Sequence, residues 1–85
     1  MNSNEQTDMQ SFGRIDRIVN TLAEGRMPMQ LKDIAAAVSL PRPTVCRILK
    51  DMVRLGYAAK GLDHRYTLGP KWLLLAQAIM EGNKQ

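Results

Sequence analysis

Eighty-five residues with a net charge of +4, 24% of them charged and 45% hydrophobic, make one small domain. A chain of this length buries only about 60% of its unfolded surface, so its core is thin and a partner surface is expected. The lone Cys46 excludes an intrachain disulfide, and one cysteine with one histidine, His64, cannot assemble a zinc site, so no metal or other cofactor is expected.

The charge is unevenly spread. Arg42, Arg47, Lys50, Arg54, Lys60, Arg65 and Lys71 face only Asp51 and Asp63 over the same span, whereas the first forty residues are close to balanced. A locally basic half points to a polyanion, nucleic acid before membrane. The start of the chain lacks the basic and apolar regions of a secretory signal, and the longest apolar stretch, Trp72–Met80, is interrupted by Gln77 and too short to span a bilayer. The expected location is cytoplasmic.

In chain order, residues 1–10 are polar and read as a disordered tail. Ser11 is a good N-cap, and Phe12, Ile15, Ile18, Val19 and Leu22 follow at helical spacing until Gly25 ends the run. Arg26-Met27-Pro28-Met29 is a connector able to form a brief edge strand. Leu31, Ile34, Ala35 and Val38 predict a second helix behind a weak Gln30 cap, and Ala35–Ala37 permit close approach by a neighbour. Ser39-Leu40 is a tight connection, after which a third helix begins at once.

That third helix, 41–55, organises the reading. Val45, Ile48, Leu49, Met52 and Leu55 share one face, and Pro43, Arg47, Lys50 and Arg54 share the opposite one. Pro41 and Pro43 suit a helix start, where the missing N–H has no intrahelical partner anyway, and Gly56 suits its stop. Two short helices joined this tightly make a helix-turn-helix, with 41–55 as the element laid into the DNA major groove. The period then changes to two. Residues 57–60 and 64–68 alternate around Gly61-Leu62-Asp63 and predict a β-hairpin, a wing over 57–68. Gly69-Pro70 opens a last helix, 70–81, before a short tail, 82–85. The expected fold is therefore mainly α with a small β-hairpin: a winged helix-turn-helix over 11–69 with a three-helix core, a wing and a C-terminal helix.

The strings Ser39-Leu40-Pro41-Arg42-Pro43-Thr44-Val45-Cys46-Arg47, Leu55-Gly56-Tyr57 and Tyr66-Thr67-Leu68-Gly69-Pro70 resemble the N-terminal DNA-binding domain of IclR-type transcriptional regulators. The likeness covers residues 10 to 80. It implies a sequence-specific regulator that binds double-stranded DNA, with Arg42, Thr44 and Arg47 at DNA-contacting positions. Two residues depart from the pattern: Pro43 stands where a small hydroxyl residue is usual, which removes a hydrogen bond to phosphate or base, and Ser39 stands where glycine is usual. Family members also carry a C-terminal effector-binding domain, and no effector ligand is expected within these residues.

Each candidate has a plainer reading beside the functional one. Arg47 suits bidentate recognition of guanine, and its plainer role is a surface ion pair with Asp51. Arg42, Pro43 and Thr44 occupy a first turn whose N–H groups attract anions, and capping is the alternative for Thr44. Lys50 and Arg54 suit phosphates. Lys60, His64 and Arg65 flank the wing tip, where backbone or minor-groove contact competes with a solvated loop. Cys46 reads as packing rather than a redox sensor. With no phosphate loop, buried carboxylate pair or Ser/His/Asp set, an enzyme is not expected. The competing classes are a winged-helix protein-interaction module and a non-specific architectural DNA binder. In the last helix Trp72, Leu75, Ala76 and Ile79 form a stripe that is expected to pack on the first helix or the hairpin. Leu73, Leu74 and Met80 are then left to hold a homodimer.

Overall fold

A computed structural model describes the backbone of residues 3–82 and the side chains of residues 11–82. Four helices and one hairpin follow in the order α1 (Ser3–Glu24), α2 (Leu31–Val38), α3 (Arg42–Leu55), β1 (Ala58–Lys60), β2 (Tyr66–Leu68) and α4 (Lys71–Gly82). The expected winged helix-turn-helix is the fold observed.

The core is small and closed by five of these elements. Ile18 and Leu22 of α1, Ile34, Ala35 and Val38 of α2, and Val45, Leu49 and Met52 of α3 are buried together with Ala58 and Tyr66 of the hairpin. The side chains repeat every three to four residues on each helix, so each helix offers one apolar stripe to a common centre. Beside this core the Arg17 guanidinium donates to the Val38 carbonyl at 3.3 Å. A cation thus sits at the carboxyl end of α2, where the helix dipole is negative.

Both helices of the helix-turn-helix end in the same way. Ser39 (φ 57°) and Gly56 (φ 91°) adopt the left-handed conformation, and the next residue donates back across the turn, Leu40 N–H to Ala35 O at 3.2 Å and Tyr57 N–H to Met52 O at 2.8 Å. These bonds occupy carbonyls that a helix end leaves without partners. The first stop positions α3 directly against α2. The second turns the chain into the wing.

The hairpin is antiparallel in the register Ala58↔Leu68, Ala59↔Thr67 and Lys60↔Tyr66. Met29 adds one bridge at its edge, with Met29 N–H to Tyr66 O at 3.0 Å and Tyr66 N–H to Met29 O at 2.8 Å. The connector expected to make an edge strand therefore supplies a single bridge. Past β2, Gly69 is buried against the end of α3. A Cβ there would overlap the Gly56 carbonyl oxygen and lie 2.8 Å from Ala58 N. Lys71 N–H bonds Gly56 O at 2.9 Å, while Tyr57 O accepts from Gly69 N–H at 3.0 Å and from the Trp72 indole at 2.9 Å. The Tyr57 and Trp72 rings meet edge to face at 5.1 Å.

Two expectations are corrected. The helix over the first segment starts at Ser3, so the polar stretch expected as a tail is helical from there and Ser11 is not its cap. Helix propagation adds one bond per residue once a nucleus exists, and no proline interrupts this stretch. Met1, Asn2 and residues 83–85 of the two expected tails lie outside the described residues. Phe12 is 77% exposed and Ile15 lies outside the core, to which α1 contributes Ile18 and Leu22 as its buried residues. Secondly, α4 does not pack along its stripe: Trp72 is half-buried, while Leu75, Ala76 and Ile79 are exposed, and none of the helix is buried. It is held only at its first turn.

Two substitutions test this account by urea unfolding. Ser39→Gly relieves a side chain held at positive φ and should raise stability by about 1 kcal/mol. Gly69→Ala forces backbone apart at the α3–wing junction and should lower stability by about 2 kcal/mol or more.

Candidate nucleic-acid interface

At 3.6 residues per turn, Pro43, Arg47, Lys50 and Arg54 fall opposite the buried Val45, Leu49 and Met52 of α3. All four are exposed, as is Arg42 at the amino end. The helix starts without a side-chain cap. Pro41 is the N-cap residue with extended backbone, and Pro43 sits within the first turn. Thr44 is half-buried and makes no capping bond, so the capping role weighed for it is absent. Of the first-turn residues, Arg42 and Thr44 keep their N–H groups, since Pro43 has none.

Charge pairing separates these cations. Asp51 takes Arg54 at 2.9 Å rather than Arg47, so the ion pair considered for Arg47 is not formed. Among the described residues the side chains of Arg42, Arg47 and Lys50 have no ion-pair or hydrogen-bond partner. Holding long cationic side chains in water costs nothing, but leaves them available to an acceptor that displaces only water. The Arg54–Asp51 pair is itself exposed, and such pairs contribute well under about 1 kcal/mol, so Arg54 can exchange its partner at little cost.

The wing cations are partly engaged. Arg65 Nε lies 3.7 Å from Asp63 Oδ2, and Lys60 Nζ stands 5.7 Å from the centroid of the Tyr66 ring. His64 is exposed and holds φ 63° at the tip, one of the two described non-glycine residues at positive φ. Its backbone, rather than its imidazole, accounts for its place in the turn. Arg42, Pro43, Arg47, Lys50 and Arg54 therefore belong to one helix, and Lys60, His64 and Arg65 to the hairpin that follows it. Thr44 lies on the flank of α3 that leads to Ile48 and Leu55.

That flank opens into a second feature, which the sequence reading did not anticipate. A groove of about 550 Å³ runs between α1, α3 and the start of α4, lined by Phe12, Ile15, Ile48, Asp51, Met52, Leu55, Tyr57, Trp72 and Leu75. Asp51 is its one charged wall residue. Sequence periodicity marked Phe12, Ile15 and Leu55 as apolar face residues but could not tell a buried face from an unfilled one. Cys46 is half-buried and free, and no cluster of three metal-ligating side chains occurs among the described residues. None of the described helices is long and apolar enough to cross a membrane.

Residues 13–61 match the family model of the IclR helix-turn-helix domain. Solved structures give the same fold. An IclR homologue from Microbacterium sp. strain HM58-2 is 28% identical, with a TM-score of 0.71 over 79% of this chain and 28% of its own. An IclR family transcriptional regulator from Brucella abortus is also 28% identical, with a TM-score of 0.72 over 82% of this chain and 27% of its own. HmgR of Pseudomonas aeruginosa, 24% identical with a TM-score of 0.71 over 86% of this chain and 30% of its own, shares the fold. This chain thus spans less than a third of each of these proteins. No curated protein matches it.

Proposed function

The chain belongs to the IclR helix-turn-helix family, and from that premise we propose that it binds double-stranded DNA sequence-specifically as the DNA-binding part of a transcriptional regulator. The observation that carries this reading is the outer face of α3, where Arg42, Arg47 and Lys50 stand exposed without a partner of opposite charge. A helix of this diameter fits the major groove, and a guanidinium midway along it can bond both acceptors of a guanine. Arg47 is that reader. Arg42 and Thr44 act in the first turn, where outward N–H groups favour phosphate. Lys50 and Arg54 hold the backbone. Pro43 contributes surface without a hydrogen bond. The wing brings Lys60, His64 and Arg65 to the adjacent backbone or minor groove.

We further infer a homodimer held through α4 and the groove beside it. Leu73, Leu74 and Met80 are 64%, 60% and 65% exposed, and Leu75, Ile79, Phe12 and Leu55 extend the same apolar character. Leaving such side chains in water forgoes about 1.5–3 kcal/mol each relative to full burial. A two-fold contact covers both copies at once and sets two recognition helices on successive major-groove faces.

Three measurements test these readings. Arg47→Ala should cost about 1–3 kcal/mol on a site selected from a random duplex library and relax preference at one base position, with urea stability unchanged. Equal binding across the library would remove Arg47 from the bases. Lys60→Ala or Arg65→Ala should weaken selected and random DNA alike and flatten the salt slope of binding by about 1 each. An unchanged slope would take the wing off the DNA and favour the interaction-module reading. Light scattering at micromolar protein should give the mass of two chains, and Leu73→Lys with Leu74→Lys a folded single chain that binds DNA more weakly. A wild-type mass of one chain would refute the dimer.

A further inference from the structure

Leu62 stands at the tip of the wing with a relative exposure of 104%. No other large apolar side chain among the described residues is so fully exposed, and Leu62 lies outside the groove that gathers Phe12, Ile15 and Leu55. The turn holds it there. His64 N–H bonds Gly61 O at 3.0 Å, Gly61 N–H bonds Arg65 O at 2.8 Å, and Arg65 N–H bonds Asp63 Oδ1 at 3.1 Å. Leu62 and Asp63 are therefore the two central residues of a closed turn, and the left-handed His64 completes its return to β2. Nothing in turn chemistry favours leucine at such a position, where proline or small polar residues are usual.

The surroundings decide what would take this side chain. Lys60, Asp63, His64 and Arg65 around it are all exposed, and no second apolar residue adjoins it in the turn. A protein partner needs a contiguous apolar patch, which this tip lacks. A single apolar residue between two cations, Lys60 and Arg65, the latter beside Asp63, matches a different target: phosphates attract the two cations, and the apolar tip enters between neighbouring base pairs from the minor groove. Such wedges partly unstack a base step and bend the duplex. The step that yields most easily is a flexible pyrimidine–purine step.

We infer that Leu62 is a minor-groove wedge that bends DNA at the edge of the site and so selects a deformable base step there. The inference rests on the DNA-binding reading above and adds to it a specificity that α3 does not supply. The test uses the whole chain and a duplex enriched from a random library, labelled at both ends for energy transfer. Two further duplexes carry either a TA step or an A-tract where the wing falls. Wild type should shorten the end-to-end distance and favour the TA duplex about tenfold over the A-tract. Leu62→Ser should lose the bend and bring the two affinities within about twofold, while its salt slope stays that of wild type because the phosphate contacts remain. Leu62→Met keeps an apolar tip and should retain both properties. A Leu62→Ser protein that bends and discriminates as wild type does overturns the wedge alone, with DNA binding intact, and leaves Leu62 to a protein contact. A wild type with no salt-dependent binding to any duplex overturns the wedge together with the reading beneath it.

Discussion

The structure turns on the close approach of Gly69 to the end of α3. Gly56 must be left-handed to stop the helix, and Gly69 must lack a side chain to pass its carbonyl. With both in place, the Gly56 and Tyr57 carbonyls accept from Gly69, Lys71 and Trp72 and leave no loose end between α3, the wing and α4. Wing position relative to α3 is thus set by backbone contact, which is stiffer than any side-chain packing at the surface. The DNA-binding face proposed for the helix and the hairpin needs that stiffness, since phosphate and base contacts on two elements have to be met together.

The second constraint is electrostatic. Of the three cations opposite the core of α3 only Arg54 has a carboxylate, and it lies three residues after Asp51 in the same helix. Asp51 also faces the apolar groove. One acidic residue thereby serves both sides of the helix: it engages Arg54 and adds a charge to the wall beside Leu55. Its choice of Arg54 leaves Arg47 without competition for an incoming acceptor.

Much of this was legible in the chain. The α3 stripe, the capping Gly56, the change of period after it and the Pro70 start of α4 each fix a local geometry through residue type alone, and α2, α3, β1 and β2 fall where those signals place them. Ser39 was readable as a departure, though its positive φ is visible only in the fold. Which apolar face finds a partner was not legible. Phe12, Ile15, Leu75 and Ile79 carry the same periodic signal as Ile18 and Leu22, yet only the latter meet the core. Periodicity reports which side chains share a face and is silent on what lies opposite it. For the same reason the Arg17–Val38 contact, between residues far apart in the chain, had no sequence signal beyond a cation beside Ile18. The partner of Asp51 was equally ambiguous, because Arg47 and Arg54 both lie within one turn of it.

The way α4 is attached has a mechanical consequence. The helix of 12 residues is about 18 Å long, and its anchoring contacts all lie at its first two residues. Its geometry is that of a lever on a pivot. A rotation of about 10° about that pivot would carry the far end about 3 Å. The pivot is the junction where α3 passes into the wing, so force applied along the lever is delivered to the joint between the two elements that form the basic surface.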